Sequence, residues 1–225
     1  MSLPAPETET SDFFRKCLEC EPGPFIEKME ILGEFLYETN RQVNLTAIKE
    51  DRFWNLHVAD SLSPALYFPE LFRSPHRIAD LGCGAGFPSL VLAAAFSDIR
   101  VTAIDSTRKK IDFVNQAAAK MGLPNLQGVH GRGNELARKS PFKNGYDAVF
   151  ARAVASADVL IREAGGFIGT KGSLIVFRTP EQYGSELDFL KKWKKGIFRS
   201  TEIFELPGQA GSRLFLQMKQ MREMH

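Results

Sequence analysis

The sequence predicts an α/β fold: a mostly parallel sheet built from β/α units, closed by an antiparallel hairpin and preceded by a helical extension. Three observations carry this expectation. From Arg77 onward, short apolar runs alternate with amphipathic stretches of helical period. The first run, Arg77-Ile78-Ala79-Asp80-Leu81, passes through Gly82-Cys83-Gly84-Ala85-Gly86-Phe87-Pro88 into an apolar segment, 89–96, which reads as strand, tight turn and helix. Near the other end two strand-like runs, 201–206 and 213–218, flank Pro207-Gly208-Gln209-Ala210-Gly211, a loop that suits a hairpin.

Ahead of the sheet, residues 1–9 are polar and proline-containing, and fraying is expected there. Thr10 or Ser11 is the expected N-cap of a first helix carrying Phe13, Phe14 and Leu18, which Pro22-Gly23-Pro24 breaks. A second helix sets Phe25, Met29, Leu32 and Phe35/Leu36 on one stripe, the pattern of a face packed on a neighbouring core. Cys17-Leu18-Glu19-Cys20 is a CxxC with no second pair of ligands at zinc spacing and no strand before it, so both cysteines read as incidental. Asn44-Leu45-Thr46 and His57-Val58-Ala59-Asp60-Ser61-Leu62 fall in a connecting region, where His57 and Asp60 at i, i+3 share a helix face and are placed to pair.

Beyond the glycine turn, 100–105 is a strand ending in Asp105. That carboxylate stands about 20 residues past the turn, where nucleotide-binding α/β folds place the acid that accepts from ribose hydroxyls. Ser106 or Thr107 caps a helix with Ile111, Val114, Ala118 and Met121 on one face, ended by Gly122 and Pro124. A third strand, 126–130, precedes Gly131-Arg132-Gly133-Asn134-Glu135, and a fourth, 146–150, runs into Arg152. A helix with Val159, Leu160, Ile161 and Ala164 leads through Lys171-Gly172 to a fifth strand, 173–177, and another helix is expected around 187–193. This divides the chain into an N-terminal helical extension, 1–74, packed on a core domain, 75–225.

The 225 residues carry a net charge of only +2, so affinity for nucleic acid must come from clustered rather than bulk charge. Three cysteines give no disulfide framework and suit a reducing compartment. With no signal-peptide pattern and no apolar run of membrane-spanning length, a cytoplasmic protein is expected. The spacing Gly82-x-Gly84-x-Gly86 departs from the GxGxxG of dinucleotide sites. Asp80 directly before it would repel a pyrophosphate but suits the ammonium and sulfonium of S-adenosylmethionine.

On these residues the chain resembles the bacterial small-subunit ribosomal RNA guanine-N7 methyltransferases, the glucose-inhibited division protein B family. The matching stretches are Asn44-Leu45-Thr46, His57-x-x-Asp60-Ser61, Asp80-Leu81-Gly82-x-Gly84-x-Gly86-Phe87-Pro88, Asp105-Ser106-x-x-Lys109, Arg132 and Arg152-Ala153-Val154-Ala155. The resemblance implies a class I S-adenosylmethionine-dependent, Rossmann-like methyltransferase that modifies N7 of a guanine in 16S ribosomal RNA, acting as a monomer on small-subunit RNA or a small-subunit particle. It implies a cofactor site of Asp80, Gly82, Gly84, Gly86, Phe87, Asp105 and Ser106, with Gly133 and Asn134 bordering the adenine and Arg152 on the substrate side. His57, Asp60 and Arg152 are the implied substrate-positioning residues, and no metal is expected. Three departures stand out: Gly133-Asn134 where the family usually has Ala-Glu or Val-Glu, Arg178-Thr179 where it has Lys-Gly, and Pro88-Ser89 where it has Pro-Gly. These leave open a methyltransferase for another RNA or a small molecule, or a cofactor- and RNA-binding protein without catalysis.

An in-plane lone pair on guanine N7 needs no general base, so orientation should dominate the chemistry. A carboxylate near the base would stabilise its developing charge; the resemblance offers His57 and Asp60. Basic runs at Arg108-Lys109-Lys110, at Arg138-Lys139 with Lys143, and at Lys191-Lys192-Trp193-Lys194-Lys195 with Arg199 are the candidates for RNA contacts.

Overall fold

Two helices open the chain, α1 (Thr8–Leu18) and α2 (Gly23–Asn40). A π-helical stretch, Phe53–Ala59, runs on into the short helices α3 (Asp60–Leu62) and α4 (Pro64–Tyr67). The β/α units follow as β1 (Arg77–Leu81), α5 (Ser89–Ala95), β2 (Arg100–Asp105), α6 (Arg108–Lys120), β3 (Leu126–His130), α7 (Gly133–Leu136), β4 (Tyr146–Ala151), α8 (Ala157–Ala164), β5 (Ile168–Arg178) and α9 (Pro180–Lys192). Three further strands end the chain, β6 (Gly196–Ser200), β7 (Phe204–Glu205) and β8 (Ser212–Gln220). These assignments come from a computed structural model, which describes residues 3–152 and 155–220.

The strands order as β3-β2-β1-β4-β5-β8-β6, with β7 paired to β8 alone. β1 to β5 are mutually parallel, and β8 enters antiparallel between β5 and β6. Period-two alternation along each strand feeds two cores. Ile78, Ala148, Phe150, Ile175, Phe177 and Phe215 pack on the side of α1, α2, α5 and α6. Ala79, Leu81, Val149, Val176 and Leu216 pack on the side of α8 and α9. The stripe Phe25, Met29, Leu32 and Leu36 of α2 is buried in the first of these cores, so the helical extension shares a core with the sheet. Strand order reverses between β1 and β4, which opens a crevice at their carboxyl ends.

Several boundaries differ from the sequence expectation. Residues 3–9 are held rather than frayed: Leu3 packs on the core, Trp54 Nε1 donates to Pro4 O at 2.6 Å, and α1 begins at Thr8. Thr10 is no cap; it is buried and its hydroxyl donates to Asn55 Oδ1 at 2.8 Å. Thr107 takes the N-cap position of α6, but the oxygen that serves its backbone N–H belongs to Asp105. β5 starts at Ile168, five residues early, because its register with β4 shifts between Tyr146 and Ala148 and absorbs the Lys171-Gly172 turn. α9 starts at Pro180, where Thr179 and Gln182 form a reciprocal capping box that periodicity alone overlooks. The strand expected over 201–206 is mostly absent; its pairing role with β8 falls to β6.

Phe215 shows why the hairpin matters to the whole. It is fully buried, with ring centroids 5.0 Å from Phe177, 5.6 Å from Phe68 and from Tyr67, and 5.5 Å from Phe204. Phe215→Ala should therefore cost about 3–5 kcal/mol of folding free energy, read as a lowered urea midpoint at unchanged slope.

Candidate functional site

The turn after β1 is possible only because its alternating residues lack side chains. Gly82, Gly84 and Gly86 take φ of +72°, +57° and +88°, and a Cβ on Gly86 would collide with the Leu90 side chain. Gly82 N and Cys83 N both donate to Ile104 O, at 2.8 and 3.0 Å, which lashes the turn to β2. Asp105 completes the lashing: Oδ2 accepts from Gly84 N at 3.0 Å and Oδ1 from Thr107 N at 2.8 Å. One carboxylate thus fixes the turns after β1 and β2 against each other while remaining 8% exposed.

These turns wall a cleft of about 550 Å³ that also takes in the loop after β3 and one side of α8. Of the residues anticipated from sequence, Gly82, Asp105, Ser106, Gly133 and Asn134 meet on its lining. Asp80, Gly84, Gly86, Phe87 and Arg152 do not line it. Asp80 is 1% exposed, its Oδ2 accepting from Ser89 N at 3.1 Å and from the Ser89 hydroxyl. Its Oδ1 is buried without a partner. Burial outweighs the Ser89 hydrogen bonds and raises the carboxyl to about 6. The serine at 89, a departure from the family's glycine, therefore supplies a donor to this acid.

A second cluster adjoins the turn on its Phe87 side. The Phe87 ring stacks on His57 at 4.0 Å between centroids, and the Arg152 guanidinium lies 5.5 Å over it. His57 and Asp60 do not pair. His57 Nε2 lies 3.0 Å from Thr46 Oγ1, which also accepts from Ile48 N, and His57 Nδ1 is buried without a partner. Asn40 holds the 44–46 turn by accepting from Leu45 N and Thr46 N and donating to Thr46 O. Asp60 is instead shared between two arginines: Oδ2 takes Arg152 Nη1 at 3.0 Å and Oδ1 takes Arg213 Nε at 3.1 Å. Arg152 also donates to Leu56 O at 3.0 Å, a carbonyl of the π-helical stretch. With its charge met by two guanidiniums, Asp60 is not the free carboxylate expected beside a methylated base. Ala153 and Val154 of the motif after β4 lie outside the described residues.

Sequence reasoning missed three contributors. Arg213 is 153 residues from Asp60 in sequence, and nothing local marks it. Glu163 lines the cleft from α8 and its Oε2 accepts from Asn134 N at 2.9 Å; as one polar residue of an amphipathic helix it carries no signal. Arg178 is 3% exposed and donates to both Glu186 oxygens, at 2.9 and 3.0 Å, and to Ala155 O at 2.6 Å. Glu186 in turn accepts from Ala157 N at 2.9 Å, so this departure from the family pattern braces the segment entering α8. Among the basic runs, Lys191, Lys192, Lys194 and Lys195 are exposed. Trp193 is half-buried, packed against the second core. Among the described residues no helix is long and apolar enough to cross a membrane.

Known proteins resemble this chain in sequence and in fold. The family model described as rRNA small subunit methyltransferase G matches residues 25–201. The ribosomal RNA small subunit methyltransferase G of Brevibacillus brevis is 34% identical over 203 residues, covering 87% of this chain and 82% of the relative. That of Lactobacillus helveticus is 32% identical over 201 residues, covering 88% and 83%. Among solved structures, an S-adenosylmethionine-dependent O-methyltransferase from Thermotoga maritima superposes with a TM-score of 0.57 at 19% identity, covering 84% of this chain and 73% of the other, a likeness of fold.

The buried imidazole sets a pH test. Burial, with the Arg152 charge second, lowers His57 from 6.5 to about 3. Between those values the unfolded chain binds a proton that the folded protein refuses, so this contribution is intact above 6.5 and lost as pH falls. Asp80 acts in the opposite sense, because its raised carboxyl binds a proton first in the folded state. The difference in urea stability between wild type and His57→Gln should accordingly shrink by up to about 2 kcal/mol from pH 7 to 5. NMR should show no titration of the His57 ring in that interval, and a midpoint near 6.5 would contradict the burial.

Proposed function

The chain belongs to the rRNA small subunit methyltransferase G family, and from that premise we propose that it transfers a methyl group from S-adenosylmethionine to N7 of a guanine in 16S ribosomal RNA. The observation that carries the cofactor assignment is the buried Asp80 Oδ1, a carboxylate oxygen left without a partner beside the glycine turn. An ammonium is the group whose arrival would satisfy it. A pyrophosphate would meet only repulsion there.

When bound, S-adenosylmethionine supplies a methyl group on a sulfonium, already activated for transfer. The remaining tasks belong to this chain. Asp80 receives the ammonium, and Asp105, clamped by Gly84 N and Thr107 N, offers its remaining lone pairs to the ribose hydroxyls. Gly82, Ser106, Gly133 and Asn134 border the nucleoside. Gly84 and Gly86 shape the turn, and Phe87 closes its end, stacked on His57 and with the Arg152 guanidinium 5.5 Å from its ring centre. Arg152 is the substrate-positioning residue in this reading. Asp60 and the Leu56 carbonyl fix its guanidinium, and His57, neutral and buried, contributes shape to Phe87 rather than a proton.

No group in the cluster need act as a base, because guanine N7 presents its lone pair unprotonated. The exposed lysines at 191, 192, 194 and 195 suit RNA phosphates. Residues 1–74 as a helical extension and 75–225 as the methyltransferase domain are part of the same reading, supported by the core they share. So are a monomeric state and cytoplasmic action, where the substrate is found and thiols stay reduced.

Labelled methyl transfer to undermodified small-subunit RNA, followed by nucleoside analysis, should place the label in 7-methylguanosine. Label in another nucleoside, or binding without transfer, refutes the assignment. Asp105→Asn should weaken cofactor binding by about 1–3 kcal/mol by calorimetry, and an unchanged affinity would remove Asp105 from the site. Charge reversal of the four lysines should weaken RNA binding and flatten its dependence on salt.

A further inference from the structure

We infer that Glu163 is the residue by which this protein recognises the 6-amino group of its cofactor's purine, a role that a residue of the loop after β3 would be expected to fill and that Asn134 cannot fill with a charge. The inference rests on the S-adenosylmethionine reading above and concerns how the adenine end of that cleft is built.

Three observations converge. First, Glu163 stands on the cleft lining together with Gly133 and Asn134, although it comes from α8 and they come from the start of α7. Its carboxylate reaches across to the α7 turn and takes Asn134 N through Oε2 at 2.9 Å. That bond orients the group, and among the described residues no hydrogen bond falls on Oε1.

Second, the space for this carboxylate depends on residue 133 having no side chain. A Cβ on Gly133 would stand 3.1 Å from Glu163 Oε2 and 2.7 Å from Leu81 Cδ1. The first contact is tighter than an oxygen and a methyl carbon adopt at rest, and the second is a clash. Gly133 and Glu163 are thus a matched pair: the small residue in the turn admits the acid from the helix.

Third, the acidic side chains on the cleft lining are Asp105 and Glu163. Asp105 has both oxygens engaged with the turns after β1 and β2, at the end where the ribose belongs. Glu163 lies beside the start of α7, bonded to Asn134 N. An amine presented there meets an acceptor with a free oxygen. A purine without the amine leaves the carboxylate unpaired, which is the arrangement that discriminates strongly between otherwise identical ligands. Asn134 is exposed with a neutral side chain, and its N–H is already taken by Glu163.

The test compares two ligands that differ only at this position, S-adenosylhomocysteine and its 6-deamino analogue, in which hydrogen replaces the amine and N1 is unchanged. By isothermal calorimetry the wild type should bind the amino ligand at least about 30-fold more tightly. In Glu163→Gln, whose carboxamide turns either its oxygen or its NH₂ toward the ligand, that ratio should fall to within about threefold of one, while thermal melting confirms the fold. Glu163→Asp retains the charge one methylene further back and should give an intermediate ratio; it serves the same purpose where the glutamine variant does not fold. A purely structural bond from Glu163 to Asn134 N would lower both affinities alike and leave the ratio unchanged, which overturns the inference. So does a rise in both affinities on removing the carboxylate, since Glu163 would then be an obstruction. Absence of discrimination in the wild type also overturns it. Failure of the wild type to bind either ligand refutes instead the cofactor reading on which the inference stands.

Discussion

A carboxylate shared by two guanidiniums governs how the helical extension meets the sheet. Asp60 bonds Arg152 from the carboxyl end of β4 and Arg213 from β8, partners 92 and 153 residues away in sequence. Their side chains are 7%, 14% and 18% exposed. Ion pairs this deep add little net stability, because desolvating the charges offsets their attraction, yet breaking one leaves an uncompensated charge behind. Their effect is geometric. They admit one seating of the π-helical stretch, Phe53–Ala59, against the carboxyl ends of β4 and β5, and that seating carries His57 onto Phe87 and Phe87 onto the end of the glycine turn. From Asn40 through Thr46, His57 and Phe87 to Arg152, each polar group is fixed by the one before it.

The two aspartates on either side of the turn divide the work by environment. Asp105 lines the cleft with its oxygens on backbone N–H groups, so its orientation is set by the turns after β1 and β2. Asp80 is fully enclosed, half satisfied by Ser89, and raised to about 6. An acid in that condition binds a cationic group with more than Coulomb attraction, since the cation also relieves a buried acceptor. The Arg152 charge already works in the same direction on Asp80, which couples the cofactor side to the substrate side across the turn.

How much of this was legible in the sequence depends on range. The glycine turn, the strands carrying Asp80 and Asp105, and the stripe of α2 announce themselves within a dozen residues, because φ > 0 and hydrophobic period are local properties. The sheet order, the insertion of β8 between β5 and β6, and the Thr179–Gln182 capping box needed either long-range pairing or attention to a two-residue cue. Site residues followed the same rule. Asp105 and Gly82 were found by spacing, whereas Arg213 and Glu163 reach the site only through tertiary contacts. The i, i+3 pairing expected of His57 and Asp60 failed because two arginines outcompete an imidazole that burial keeps neutral.

That failure changes what kind of catalyst the site can be. A free carboxylate next to the base would help if the reaction created a cation from neutral groups. Methylation of N7 by a sulfonium instead moves an existing positive charge from sulfur to the purine, so the charge of the reacting pair is the same before and after. What such a transfer requires is a fixed line of approach and a site whose polar groups do not reorganise along it. The Asp60 cluster meets that requirement: its acid is neutralised by cations that packing holds in place, and its histidine stays neutral over the working pH range. Rigidity, set by that carboxylate and its two guanidiniums, is then what the cluster offers such a transfer.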